Sequence, residues 1–350
     1  MSRLPLTLIA AAALALSGCA APLGQSAVGG TYQNPVLDSD FPDPVLVKAP
    51  DGFYYAYATQ TQIDGRWVNI QLARSTDLVT WRHMGDALPA KPSWATKTQD
   101  FWAPHVARHG DTYYMYYSAK PDAAVTDDKR GLCLAVATAG GPLGPFVDIG
   151  KPLQCGDGFV NIDPMSFDDP ATGKRLLYWG SGFQPIKVQE LGPDRLSFAP
   201  GSKAIDLLPV VKDDPKHYER LVEGAWVIHR GGYYYLFYSG NNCCGKDAHY
   251  AVLVARSKSA TGPFEKFGSA ILEARGTWFA PGHNATITDA AGRDWMVYHA
   301  VDLRRARTKP TDDINTRRIL LIDPIEWRDG WPRIENSGPS AQRRRAPRIR

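Results

Sequence analysis

Three acidic residues stand out by type and setting: Asp43, Asp163 and Glu223. They open the stretches Asp43-Pro44-Val45-Leu46, Asp163-Pro164-Met165-Ser166 and Glu223-Gly224-Ala225-Trp226. Histidines take the same place in His105-Val106-Ala107 and His283-Asn284-Ala285-Thr286. Three carboxyl groups brought together suit the cleavage of a glycosidic bond. One, protonated, donates to the leaving oxygen, and a second, ionised, activates water or attacks. A third nearby raises the pKa of the acid by like-charge repulsion. Glu223 suits the acid, because Val222, Ala225 and Trp226 make an apolar setting that disfavours its charged form. Asp43 suits the general base and Asp163 the modulator. Taken singly, Asp before Pro is a common turn device. The chemistry therefore depends on whether the chain brings the three to one place.

The elements that would do so are repeated. Aromatic runs follow turn residues at Phe53–Tyr57, Tyr113–Ser118, Leu176–Gly180, Tyr233–Ser239 and Trp295–His299. β-branched and aromatic residues beside Gly- or Asp-bearing turns are a strand and hairpin signal. Further strand-like runs follow, most clearly Cys133–Thr138 and Ala251–Ser257, each leading to a Gly-Pro-Phe. Five such units of about four short strands, recurring at roughly 60 residues, argue an all-β fold: a single five-bladed β-propeller over residues 32–336. A β-sandwich would not demand this periodicity. The last run, Ile319–Trp327, lacks a complete blade after it and is expected to close the ring with the N-terminal segment. Each ionisable residue named above lies at the start of a first strand, and in a propeller these strands line the central channel. The five positions thus converge on one funnel. His105 and His283 could hydrogen-bond the carboxylates, ligate a channel metal or fill the core.

Aromatic side chains lie close to the same positions. Phe41, Trp102 and Trp226, with Trp278 and Phe279, stand within a few residues of the ionisable groups. Sugar faces stack on such rings, which makes Phe41 and Trp102 candidate platforms. For Trp226, inside a strand, packing between blades is an equal alternative.

Asn34-Pro35 with Phe41-Pro42-Asp43-Pro44, Asn161-Ile162-Asp163-Pro164 and Val222-Glu223-Gly224-Ala225 resemble, in order and in register, the motifs of family 43 glycoside hydrolases. Further matches are Trp102-Ala103-Pro104, Gly282-His283-Asn284, and Arg318 ahead of Leu321-Ile322-Asp323-Pro324. The resemblance covers nearly all of Tyr32–Ile334. It implies an inverting arabinanase, arabinofuranosidase or xylosidase with Asp43 as base, Asp163 as pKa modulator and Glu223 as acid. It also implies that Arg318 orders the carboxylates and that no cofactor is required, with a calcium ion an option in the channel beside His283. One position departs: the family usually has Asp or Glu after Trp-Ala-Pro, where this chain has His105, a change in one funnel wall that bears on substrate contacts and on any channel ion. The lack of a second β-sandwich domain favours arabinan-type substrates over xylosides. Rival readings are an invertase-like furanosidase, whose Asn-Asp-Pro-Asn-type opening is missing, and a non-catalytic carbohydrate-binding propeller. The expected partner is plant cell-wall polysaccharide or oligosaccharide.

Bulk properties agree with an exported protein. Arg3 precedes the apolar run Leu4–Leu16, too short to span a bilayer but suited to a signal peptide. It ends in Leu16-Ser17-Gly18-Cys19, which resembles the lipobox of bacterial lipoproteins, so residues 1–19 are expected to form the signal, with lipidation at Cys19 and a tether over 20–31. That would place the protein in the periplasm or outer membrane, held to the membrane only by its lipid. Cys133 with Cys155 and Cys243 with Cys244 could form two disulfides in an oxidising compartment. The formal net charge of +4 is carried by Arg3 and five arginines between Arg343 and Arg350, leaving a nearly neutral body. Such a body has no nucleic-acid footprint, and residues 337–350 are expected to be a disordered basic tail.

Overall fold

The computed structural model describes residues 30–125, 131–212, 218–244, 248–304 and 317–349. Five antiparallel sheets follow one another along the chain, built from strands in chain order; in the first, a separate hairpin of Thr61–Ile63 and Arg66–Val68 intervenes between the second and third strands. The inner strands are Val45–Lys48, Phe101–His109, Met165–Asp168, Val222–Arg230 and Trp278–Thr288. The aromatic runs form the second strands: Tyr54–Ala58, Thr112–Ala119, Arg175–Trp179, Tyr233–Gly240 and Asp294–Asp302. Helix among the described residues is limited to the single α-helical turn Asp122–Val125 and the 3-10 turn Glu335–Ser337. No described helix is long and apolar enough to cross a membrane. The apolar run Leu4–Leu16 and Cys19 lie outside the described residues.

Packing explains the composition of the second strands. Tyr54–Ala58 is buried at every position rather than at alternate ones, because both faces of a blade are covered by neighbours. Five apolar clusters each join two adjacent blades. Tyr57 and Leu72 of the first blade meet Phe101 and Met115 of the second, and Tyr116 and Leu134 of the second meet Leu177 and Trp179 of the third. Tyr178 packs with Leu236, Phe237 with Tyr298, and Trp295 and Leu320 of the fifth blade return to Leu46 and Tyr54 of the first. The seams form a closed ring, a five-bladed propeller. Each large side chain so buried contributes roughly 1.5–3 kcal/mol by its removal from water.

Closure differs from the sequence expectation in two ways. Ile319–Arg328 is the third strand of a complete fifth blade, followed by Trp331–Ile334. The N-terminal segment does join it, through Val36 N–H to Leu320 O at 3.0 Å. The basic segment expected to be disordered is instead ordered through residue 349. Arg344–Arg345 pairs with Thr31–Tyr32, which also takes Thr31 out of the expected tether. Arg348 N–H donates to Asp289 Oδ2 at 3.0 Å, and Arg344 pairs with Glu335. A run of like charges tends to stay solvated; backbone pairing with the N-terminal strand outweighs that tendency here.

Both cysteine pairs form disulfides, Cys133–Cys155 between paired strands and Cys243–Cys244 between neighbours in sequence.

Candidate active site

Each inner strand is interrupted where it enters the funnel. Asp43, Ala103, Asp163, Gly224, Ala280 and His283 all have φ between 43° and 62°, the left-handed region that L-residues seldom occupy. In the second, fourth and fifth blades the strand register shifts at the same places, between Trp102 and His105, Glu223 and Trp226, and Phe279 and Ala285. Such irregularities re-aim side chains. In blades one and three the left-handed residue is the carboxylate itself; in blade four it is the glycine that follows the carboxylate. Gly224 also approaches His283 closely, for a β-carbon there would lie 3.4 Å from the imidazole.

The result is one buried cluster. Asp43, Asp163 and Glu223 are 8%, 7% and 7% exposed, open enough for contact yet largely removed from water. Arg318 Nη1 donates to Asp43 Oδ1 at 3.0 Å, and Thr59 Oγ1 donates to Asp43 Oδ2 at 2.6 Å. Gly224 N–H donates to Asp163 Oδ2 at 3.0 Å. His283 Nδ1 lies 3.4 Å from Asp43 Oδ1 and 3.7 Å from Asp163 Oδ2, between the two aspartates. Glu223 Oε1 accepts a 2.8 Å hydrogen bond from Tyr250. Arg318 is itself fixed by its backbone: its N–H donates to Asp40 Oδ1 and its carbonyl accepts from Phe41 N–H.

These surroundings push the three carboxyls apart. Burial is the largest single influence and would raise Asp43, but the Arg318 guanidinium, His283, His299 and the Thr59 hydrogen bond together outweigh it and hold the carboxyl well below the usual range. His283 and His299 are pressed towards neutrality by burial. His299 Nδ1 accepts the Asp43 N–H at 3.0 Å, so it forms no ion pair with that carboxylate. Glu223 is raised to about 7, first by burial, against the Tyr250 hydrogen bond. Asp163 is raised by burial and then by the charges of Glu223 and Asp43. Asp43 is thus the ionised member, and Asp163 and Glu223 together carry a proton near neutrality. An ionised carboxylate facing a protonated one is the division of labour that acid–base glycoside hydrolysis requires.

Other expected site residues are placed differently. Phe41, expected as a sugar platform, is 0% exposed and packs edge-on against His83; it walls the site and offers no face to a ligand. Trp226, partly exposed, is wedged against three of the inter-blade clusters and donates Nε1–H to Thr286 Oγ1 at 2.9 Å, so packing between blades accounts for much of its surface. His105 is buried beside Trp226, with ring centroids 5.5 Å apart. Its Nδ1 accepts from Ser166 N–H at 3.3 Å, and burial pushes its pKa down to about 3. It is a neutral channel wall rather than a charged substrate contact. Trp102 keeps a partly exposed indole beside left-handed Ala103. Among the described residues no group of three or more His, Cys, Asp or Glu side chains is arranged to hold a metal ion. His283 turns Nδ1 to the aspartates, and the neutral imidazole and indole of the channel are poor partners for a hard cation such as calcium, which prefers oxygen.

Sequence reasoning missed Thr59, Tyr250 and His299 as members of the site. His299 ended a recognised strand, but Thr59 and Tyr250 carry no motif signal, since only folding brings them to the carboxylates.

A closed propeller with three buried carboxyls in its funnel, one paired with an arginine and another set in apolar surroundings, defines the class: a β-propeller glycoside hydrolase. Residues 32–332 match the family described as glycosyl hydrolases family 43, and the chain belongs to that family. Among relatives, it is 26% identical over 322 residues to an extracellular exo-α-(1→5)-L-arabinofuranosidase of Cellvibrio japonicus, spanning 85% of this chain and 86% of the other. It is 30% identical over 307 residues to a β-D-galactofuranosidase of Aspergillus niger, spanning 83% and 80%. A solved thermostable family-43 glycoside hydrolase superposes with a TM-score of 0.73 at 28% identity, covering 91% of this chain and 99% of that one. The Cellvibrio cellulosa α-L-arabinanase, solved with arabinohexaose, shares the fold with a TM-score of 0.70 at 23% identity, covering 86% and 97%.

Proposed function

We propose that the protein is an inverting hydrolase of α-L-arabinofuranosidic linkages in arabinan or arabinoxylan. The observation that carries this is the contrast within one funnel between Asp43, paired with Arg318, and Glu223, buried against Tyr250. Glu223 protonates the glycosidic oxygen as the bond to the anomeric carbon breaks. Asp43 takes a proton from water, whose oxygen attacks that carbon from the opposite face. Burial keeps Glu223 protonated, and Asp163 shares its buried site and accepts the Gly224 backbone N–H. Arg318 keeps Asp43 ionised. Trp102 offers the stacking face for a sugar ring. No resident metal is needed in this scheme, so prior treatment with a chelator leaves the rate unchanged.

The arabinose assignment draws support from the arabinofuranosidase and arabinanase names among the relatives. The galactofuranosidase relative favours a second reading, a furanosidase for galactofuranosides. Purified enzyme assayed on linear arabinan, arabinoxylan, and the 4-nitrophenyl arabinofuranoside, galactofuranoside and xyloside decides between them. Arabinose release ahead of the other sugars is expected; turnover confined to galactofuranoside or xyloside would overturn the substrate. Proton NMR of the first-formed product tests the mechanism, since retained anomeric configuration excludes inversion.

We also place the protein outside the cytoplasm as a lipoprotein anchored through Cys19. The Leu-Ser-Gly-Cys sequence, two disulfides and a relative named extracellular support this. Labelled palmitate should enter the wild-type chain and not Cys19→Ala; label in both would refute the anchor.

A further inference from the structure

Tyr250 lies 27 residues from Glu223 in sequence and donates its phenolic proton to Glu223 Oε1 at 2.8 Å. The ring that carries this hydroxyl is held from several sides. It is 1% exposed. It stacks almost parallel on His299, with centroids 5.9 Å apart and planes 6° from each other. On another side it occupies the space over Gly282, where a β-carbon would fall 2.1 Å from the ring. Ala248, Ala280, Phe279 and Cys243 of the vicinal disulfide complete its apolar surroundings. A phenol so enclosed stays protonated, and its proton is directed at the carboxyl.

We infer that Tyr250 is the positioning residue of the general acid, selecting which oxygen of Glu223 carries the transferable proton. A protonated carboxyl has one carbonyl-type oxygen that accepts and one hydroxyl that donates. With Tyr250 O–H directed at Oε1, that oxygen is the acceptor and the proton rides on Oε2. In the reaction the Oε2–H bond breaks as the proton passes to the leaving oxygen and the glycosidic C–O bond cleaves. The electron pair left on Glu223 is shared with Oε1, where the Tyr250 hydrogen bond strengthens as charge develops. The contact therefore stabilises the transition state more than the ground state. Asp163, Asp43 and Arg318 are the charged and titratable groups that also face Glu223, and the hydrogen bond to Oε1 comes from Tyr250.

The inference rests on Glu223 being the acid, and the test separates the two claims. Tyr250→Phe removes the donor and keeps the ring. Without it Glu223 loses a bond to its charged form, so the alkaline limb of the kcat/KM profile moves to higher pH by about one unit. Hydrolysis of arabino-oligosaccharides, whose leaving group needs protonation, falls about tenfold or more. The 4-nitrophenyl arabinofuranoside, whose leaving group needs little help, is nearly unaffected, and KM is unchanged. An unmoved limb, or equal losses on both substrates, would reduce Tyr250 to a packing residue. Glu223→Gln is run alongside: if that variant keeps the alkaline limb, the acid assignment itself fails. In the unmodified enzyme the Cζ carbon resonance of Tyr250 should titrate at the pH of that limb, a reading independent of whether Tyr250→Phe folds. A flat Cζ resonance overturns the inference.

Discussion

Arg318 and Asp43 are 275 residues apart in sequence and 3.0 Å apart in the folded chain. Their contact spans the seam where the last blade meets the first, so closing the ring and setting the charge of Asp43 are one event. Arg318 is held there by Asp40 and Phe41, the residues just ahead of Asp43. The pair therefore exists only in the closed propeller.

Replacing Arg318 by Met removes the charge that keeps the Asp43 carboxyl low. Burial then dominates, and the pKa of the base rises. Asp43 must be ionised to act, so the acidic limb of the pH–rate profile moves to higher pH. The plateau rate is expected to fall about 100-fold, the scale of losing one preorganised charge contact. The profile of kcat/KM from pH 4 to 8 checks both.

Glu223 links activity to instability. Its folded pKa of about 7 stands above the ordinary value of 4.5. The folded state therefore binds more protons between those values, and stability falls as pH rises through that window. The linkage amounts to about 3 kcal/mol at most. Glu223→Gln is expected to be inactive on arabinan, and the stability it gains relative to wild type should be larger at pH 8 than at pH 4.5. Urea denaturation at the two pH values measures it, and an identical difference at both would contradict the raised pKa.

Gly224 combines φ of 62° with a close approach to His283. Alanine there meets the left-handed penalty of about 1–2 kcal/mol. It also shifts the N–H that holds Asp163. Gly224→Ala should lower the melting temperature by a few degrees and reduce kcat far more than that loss of stability explains. Calorimetry and single-turnover rates on the same preparation separate the two effects.

The Cys133–Cys155 disulfide closes a loop of 22 residues. That loop ends shortly before Asn161 and Asp163. By loop entropy its removal costs about 3 kcal/mol. The Cys133→Ala/Cys155→Ala variant is expected to unfold at correspondingly lower denaturant and to keep its pH–rate limbs, because neither sulfur touches a carboxylate.

Much of this protein was legible in the chain itself. The five blades follow from short-range signals: aromatic runs, turn residues and their repetition, each of which acts over a few residues. The positions of Asp43, Asp163 and Glu223 follow from the same repeat, because equivalent places in a closed ring must converge. Tertiary structure alone decided the rest. Phe41 is an aromatic residue near the funnel, and nothing in its type distinguishes a face open to a sugar from one buried in the wall. The basic C-terminal segment reads as solvated until the strand Thr31–Tyr32 comes alongside to satisfy its backbone. The protonation of each carboxyl was set by partners far away in sequence: Arg318 for Asp43, Tyr250 for Glu223, Gly224 N–H for Asp163. A local pattern states where a charge stands along the chain. Its pKa depends on what surrounds it in space, and that is settled only when the ring closes.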